Sequence, residues 1–397
     1  MTDQRVPAIL VLSLLFAAIF LTFTVFGMLA PLLVELAAEF QTSVAVAGQL
    51  AAATSIAWAI AAPLVGPWSD TYGRRLVVLT GLMLMALGVL GSVLAWSYGS
   101  MLGFRLLTGL GMAAIAPSCL AIAADIFPPE QRGKAVGWLI SATGVGAALG
   151  IPGVVLLADA GGWQLPFYVI GALLLVLWVL LWVWLPRSQQ ETGQAIGIFP
   201  RFREVGSNGR AWYVLGANIL IVGAFSGVFT YLAAYLIETY SMSARATALP
   251  LTLAGLGVIL GSFIGGRAAG LTRRLPVVTV SLVFGGLVAA LVFITKASPW
   301  ATVALASGVG AFLVMSWPVT SVLLIELAGR SRATALGLFA FSNQAGNVVG
   351  ASLGGLMLAL GGFPLVGIFC LGTAVTAAVV IRLKVRKSAE FVQRTAT

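Results

Sequence analysis

Of the 397 residues, 60% are hydrophobic and only 9% are charged, whereas soluble domains carry roughly 25% charge. No water-soluble fold of this length could hide that much apolar surface, so lipid is the solvent. A net charge of +10 does not indicate nucleic acid, because the basic residues sit in short loops at alternate helix ends.

Crossing the hydrocarbon takes about 20 mostly apolar residues as a helix, or about 10 alternating ones as a barrel strand. The runs here are long and continuous, as in Trp163 to Leu185, so the spans are helices, which satisfy their own backbone hydrogen bonds. They fall near 8–38, 44–67, 75–95, 98–127, 131–159, 163–185, 210–237, 243–268, 274–295, 298–328, 331–360 and 363–383. The first follows Arg5 and runs past Leu29 without a small-residue cleavage pattern, so it reads as a retained span. Several exceed the minimum crossing length, which implies tilt or extension beyond the bilayer.

The longest loop contains Pro186, Gly193, Gly197 and Pro200 among polar residues, the composition of a flexible linker. The expected architecture is an all-α membrane protein of twelve transmembrane helices in two pseudo-symmetric six-helix bundles. Residues 1–186 form the first bundle, 187–209 a cytoplasmic linker, and 210–397 the second bundle with a short cytoplasmic tail. With both termini in the cytoplasm, only Arg105, Arg245 and Lys296 of the 22 Lys and Arg residues escape the cytoplasmic side, leaving 22 − 3 = 19 there. Positive charge is retained inside during insertion, so this asymmetry predicts the orientation in a cell inner (plasma) membrane.

The halves repeat. Arg132, Gly137, Gly146 and Gly150 recur 200 residues later as Arg332, Gly337, Gly346 and Gly350, and Gly66, Arg74 and Arg75 recur at an offset of 199 as Gly265, Arg273 and Arg274. Two like halves can rock about a site near the bilayer midplane, the geometry of alternating access. Small residues at such intervals also permit close helix packing anywhere in a membrane protein, and both readings stand for each glycine.

The chemistry of the second loop follows from its residues. Two spans joined by a few residues need a tight turn, and Gly73 reaches backbone angles closed to other residues. Asp70 can accept hydrogen bonds or face a positive helix end, while Arg74 and Arg75 offer forked donors or simply anchor topology. The segment Gly66-Pro-Trp-Ser-Asp70-Thr-Tyr-Gly73-Arg74-Arg75 resembles the signature loop of the major facilitator superfamily. Met101 to Ala114, with Arg105, Gly109 and Gly111, resembles that superfamily's fourth-helix motif. The chain is similar in particular to its twelve-span drug–proton antiporters. The resemblance implies that Asp70, Gly73, Arg74 and Arg75 join Asp125 in a conformational latch closing the inner side. In the second half Ala269 occupies the place of Asp70, so that latch is expected to be degenerate. Helix 5 matches the antiporter motif only in part, at Gly137, Gly146 and Gly150. Pro152 removes a backbone bond and makes a bend there plausible, with Gly146 and Gly150 as hinge or packing residues.

Arg105 lies about two turns inside the fourth span, where a guanidinium must face the bundle interior or water. It is either a cavity charge, binding an anion or modulating a proton site, or a structural donor to a neighbouring helix. Proton coupling needs a carboxyl whose affinity can be reset by a partner, and Glu35 with Arg105 is the pair nominated. Elsewhere the cavity should be apolar with a few polar groups: Gln49 on the second span, Asn218, Phe225 and Phe229 on the seventh, Trp317 on the tenth, Asn343 and Asn347 on the eleventh with Gln344 beside them. Such a lining suits amphipathic or hydrophobic organic molecules.

The leading expectation is a secondary transporter exporting such molecules by drug-type efflux, with protons as exchange partner. Its rivals are a carrier of an organic anion, metabolite or lysolipid using Arg105, and a non-transporting receptor of the same fold. An enzyme would need a nucleophile, metal ligands or paired buried acids. The chain has no histidine, and its two cysteines, Cys119 and Cys370, fall inside apolar spans without metal-ligand spacing, so no metal or cofactor is expected. No phosphate-binding Gly-x-x-x-x-Gly-Lys-Ser/Thr loop supports an ATP-driven pump. The expected partners are a small-molecule substrate, protons and membrane lipid, with the chain working as a monomer.

Overall fold

A computed structural model describes residues 8–185, 209–271, 274–327 and 332–385; most of the expected linker lies outside them. Among the described residues the chain is all-helical. Eleven helices are long and apolar enough to cross a membrane. One, Ala335–Lys384, is two helices run together, because Gly361 (φ −152°, ψ 19°) and Gly362 (φ 68°, ψ −169°) break it. Counting it twice gives ten plus two, or twelve crossings.

The chain divides into two compact units, one of residues 1–36 with 53–196 and the other of 37–52 with 197–397. The boundary expected at the linker therefore omits a short segment, 37–52, whose packing lies with the later residues.

In the first unit, α1 (Ala8–Gly27) and α2 (Leu29–Glu39) make the first crossing. Beyond α3 (Val44–Ala47), capped by Ser43, follow α4 (Gln49–Tyr72), α5 (Arg74–Val93) and α6 (Tyr98–Ile126). Gly73, at φ 88°, makes the turn between α4 and α5, and Ser97 with Ser100 forms a capping box that starts α6. The fifth crossing is α7 (Pro129–Val145), a π-helical turn Gly146–Gly150 and α8 (Ile151–Gly161), and the sixth is α9 (Gln164–Trp184). Pro152 has no N–H to donate, and the wider π turn directly before it absorbs the lost bond.

The second unit contains α10 (Gly209–Tyr240), α11 (Ala248–Ala269), α12 (Arg274–Ile294), α13 (Pro299–Val314), α14 (Ser316–Leu327) and α15 (Arg332–Val380), whose two limbs meet at Gly361–Gly362. The first limb of α15 packs along α10, and α11 packs along α13.

Lipid tails are as apolar as the helices, so close packing of small residues replaces the hydrophobic drive between them. A Cβ on Gly146 would stand 2.9 Å from the Phe20 carbonyl and one on Gly150 2.0 Å from Thr24 Oγ1, both on α1. Two hundred residues on, a Cβ on Gly346 would stand 2.5 Å from Val222 Cβ and one on Gly350 2.6 Å from the Gly223 carbonyl, both on α10. Gly137 and Gly337 face open space in both copies. The repeat extends further than the glycine pattern: Gly162 (φ 75°) ends α8 as Gly362 (φ 68°) ends the first limb of α15, and a Cβ on Gly161 or Gly361 would meet Leu165 or Leu365 alike.

Candidate functional site

At the end of the first unit where the basic residues gather, Arg74 donates to the Asp125 carboxylate and, at 2.8 Å, to the Ala121 carbonyl. Gly73 sets the entry angle with its positive φ, so α5 begins with Arg74 beside the C-terminal turn of α6. Arg75 turns the other way and donates to the Trp182 carbonyl at the end of α9. Two members of the predicted latch, Arg74 and Asp125, thus meet beside the turn at Gly73, Arg75 ties a different helix, and the Asp70 side chain lies outside the described part.

The second unit has an arginine–acid contact of its own, while position 269 remains an alanine with no carboxylate to match Asp70. Arg274 donates to the Glu326 carboxylate and to the Ala269 carbonyl. The pair spans α12 and α14 as Arg74–Asp125 spans α5 and α6. Structurally Arg274 therefore stands for Arg74, one residue away from the match made at an offset of 199, and Glu326 stands for Asp125.

Arg105 is fully buried. Its Nη2 donates to the Gly88 carbonyl at 3.2 Å and to Ser92 Oγ at 2.5 Å, both on α5, and its guanidinium carbon lies 5.2 Å from the centre of the Phe167 ring on α9. These contacts tie α6 to α5 under an aromatic face, while its Nε and Nη1 are buried without a partner. It does not meet Glu35. The electrostatic neighbour of Glu35 is instead another acid, Asp159 on α8. The sequence reading missed Asp159 because nothing in its local pattern points back to α2.

The remaining candidates come together in the second unit. Asn218, Phe225 and Phe229 share a face of α10, being seven and four residues apart. Asn218 is fully buried; its Nδ2 donates to Ser342 Oγ at 2.8 Å and to Asn343 Oδ1 at 2.7 Å, while its own Oδ1 has no partner. One turn further, Asn347 Nδ2 donates to Gln344 Oε1 at 3.2 Å, and the Asn347 carbonyl accepts from Ser226 at 3.4 Å. Phe225 stacks on Phe229 at 4.4 Å between ring centres and meets Trp317 edge-on at 5.3 Å. The Trp317 Nε1 is buried without a partner. Phe225, Phe229, Trp317, Asn343 and Asn347 are each partly exposed. Gln49 is set apart from this group, its Nε2 directed at the Ser352 carbonyl at 3.4 Å near the opposite helix ends.

The first unit carries an aromatic group that the sequence reading missed. Trp58 on α4 meets Phe23 and Phe26 on α1 edge-on, at 6.5 and 5.7 Å. Only the known spacing of the two helices could have revealed it. A groove of about 560 Å³ between α11 and α13, lined by Leu256, Leu260, Trp300 and Ser307 among others, includes none of the predicted residues. Its lining is nearly all apolar, so it lacks the convergent polar groups of a recognition site. Both cysteines are buried thiols, and among the described residues no cluster of His, Cys, Asp or Glu could hold a metal.

Comparison with known proteins adds a family and a fold. The sequence model of the Major Facilitator Superfamily matches residues 15–313 and again 218–396. The chain is 27% identical over 354 residues to the uncharacterized MFS-type transporter YceJ of Bacillus subtilis (strain 168), covering 87% of this chain and 88% of the relative. It is 28% identical over 308 residues to the 3-(3-hydroxy-phenyl)propionate transporter of Escherichia coli (strain K12), covering 75% and 73%. Among solved structures, a bacterial homologue of the human lysosomal transporter Spinster superposes with a TM-score of 0.76 at 19% identity, over 97% of this chain and 98% of the other.

Proposed function

The chain belongs to the major facilitator superfamily, and from that premise we propose that this multi-pass membrane protein is a secondary transporter carrying small hydrophobic or amphipathic organic molecules across the plasma membrane by alternating access. Drug-type export in exchange for protons is the finer form of the proposal, with both termini in the cytoplasm as the Lys and Arg distribution indicates. The observation that carries the reading is the duplication at the level of contacts. Gly146 and Gly150 against α1, and Gly346 and Gly350 against α10, are the same seam built twice, and like halves are what alternating access requires. Arg74–Asp125 and Arg274–Glu326 serve as matched latches at the cytoplasmic ends, and Asp70 joins the first. Pro152 and its π turn act as the bend in a moving helix. The chain works as a monomer.

A second reading, transport of an organic acid, is favoured by the similarity to the 3-(3-hydroxy-phenyl)propionate transporter. The burial of Arg105 weighs against an ion pair with that residue.

Reconstitution into liposomes tests the proposal. Counterflow of a compound panel, with and without an imposed pH gradient, should show saturable flux that the gradient accelerates. Flux indifferent to the gradient would remove proton exchange and keep transport; no flux of any compound would remove the transporter reading itself.

A further inference from the structure

We infer that the amide-and-aromatic face of the second unit binds an uncharged aromatic ligand bearing a hydrogen-bonding group, and not an organic ion. The inference rests on the transporter reading and gives it a substrate class.

Three observations converge. First, the face offers a ready surface for a planar ring: the partly exposed, stacked Phe225–Phe229 pair with Trp317 set edge-on against it. Aromatic rings favour such stacked and edge-on partners over saturated ones. Second, two buried polar atoms there remain unsatisfied, the Trp317 Nε1 donor and the Asn218 Oδ1 acceptor. Buried polar groups are nearly always hydrogen-bonded, so each exception calls for an explanation. A ligand presenting an acceptor to the Trp317 Nε1, or a donor to the Asn218 Oδ1, would answer either one.

Third, the face carries no formal charge. On α10 the described residues of formal charge nearest to it are Arg210 and Glu238, eight residues before Asn218 and nine after Phe229, or about 12 and 14 Å of helix rise. Glu326 lies at the far end of α14 and is bonded to Arg274, which also accounts for the cation of α12. Arg267 on α11 lies over the Phe263 ring at 3.7 Å. An ion brought to this face would lose its water and meet only neutral dipoles, and such a transfer is strongly unfavourable without a counter-charge. A neutral molecule of the same shape has no such cost.

The test uses the full-length protein in lipid nanodiscs and isothermal titration with four matched probes. These are 3-phenylpropanamide (neutral, aromatic), 3-phenylpropionate at about pH 7.5, where a carboxylic acid is ionised, 3-phenylpropylamine (cationic), and 3-cyclohexylpropanamide (neutral, saturated). The phenyl amide should bind at least about tenfold more tightly than each of the other three. Trp317→Phe, which keeps the ring and deletes the donor, should weaken it several-fold, and Phe229→Leu should narrow the gap between the phenyl and cyclohexyl amides. Equal or tighter binding of either ion, a cyclohexyl amide that matches the phenyl one, or no binding by any probe overturns the inference. The wild-type series decides it even where a variant fails to fold. Counterflow of the same probes separates the two proposals. Flux of an ion without binding of the amide removes the ligand class and leaves the transporter reading. Tight amide binding without flux of any solute does the reverse.

Discussion

Arg274 meets Glu326 across α12 and α14 as Arg74 meets Asp125 across α5 and α6. In both pairs the arginine sits at the first position of its helix and also donates to a main-chain carbonyl. The acids are half exposed, 54% for Asp125 and 52% for Glu326, so water screens them. A double-mutant cycle on Arg274→Ala and Glu326→Ala, read by thermal unfolding, should return a coupling of about 0.2–1 kcal/mol that fades in high salt. Coupling of several kcal/mol, or none at low salt, would show that the pair does not behave as a screened surface bridge.

The two seams predict a matched pattern of glycine replacements. Gly150→Ala and Gly350→Ala force a methyl against Thr24 and against the Gly223 carbonyl, an overpacking that costs about 1–3 kcal/mol. Gly137→Ala and Gly337→Ala enter open space and should be neutral or slightly stabilising, since alanine favours helix by up to about 1 kcal/mol. Unfolding temperatures of the four variants check this. A Gly337→Ala variant as unstable as Gly350→Ala would contradict the seam.

The turns at Gly162 and Gly362 carry their own expectation. Both combine positive φ with ψ near 180° (φ 75°, ψ 174° and φ 68°, ψ −169°), a region open essentially to glycine alone. Gly162→Ala and Gly362→Ala should therefore each cost about 1–3 kcal/mol. A loss at one position and none at the other would mean the repeat does not reach this turn.

Arg105→Gln should lower stability without selecting among substrates. The change removes a fully buried guanidinium held by Gly88, Ser92 and the Phe167 face. Arg105→Lys should rescue only partly, because an ammonium can reach Gly88 and Ser92 but lacks the flat guanidinium that lies near the Phe167 ring. Unfolding temperature and substrate affinity are measured side by side; an unchanged unfolding temperature with lost affinity for anions alone would return Arg105 to a binding role.

Much of this was legible before any coordinates. Composition and run length alone predict twelve helical crossings, and the spacing of Gly146, Gly150, Gly346 and Gly350 announces a duplication that the contacts repeat. Asn218, Phe225 and Phe229 share a helix face by arithmetic, and Asn343 and Trp317, named with them, lie against Asn218 and Phe225. What failed did so for identifiable reasons. Glu326, the partner of Arg274 on α14, was not named, because loop sequence carries no information about a partner fifty residues away. Arg105 was paired with Glu35 because both lie toward the same helix ends, yet a one-dimensional pattern does not say which neighbour a buried side chain faces. The turn at Gly361–Gly362 shares its offset with the rest of the repeat, and only its backbone angles distinguish it from dozens of other glycines.

The assignment of residues 37–52 to the second unit bears on how the protein can be taken apart. A gene split at the linker would leave this strip on the first fragment and its packing partners on the second. Tyr231, whose hydroxyl would lie 2.1 Å from a methyl on Gly48, would lose the surface against which it is wedged. The amino-terminal fragment made alone would therefore display a sticky, unpaired tongue. Mixed with its counterpart, it would hold the means of recognising it, so that the severed polypeptide re-forms as a complex where two self-sufficient bundles would drift apart.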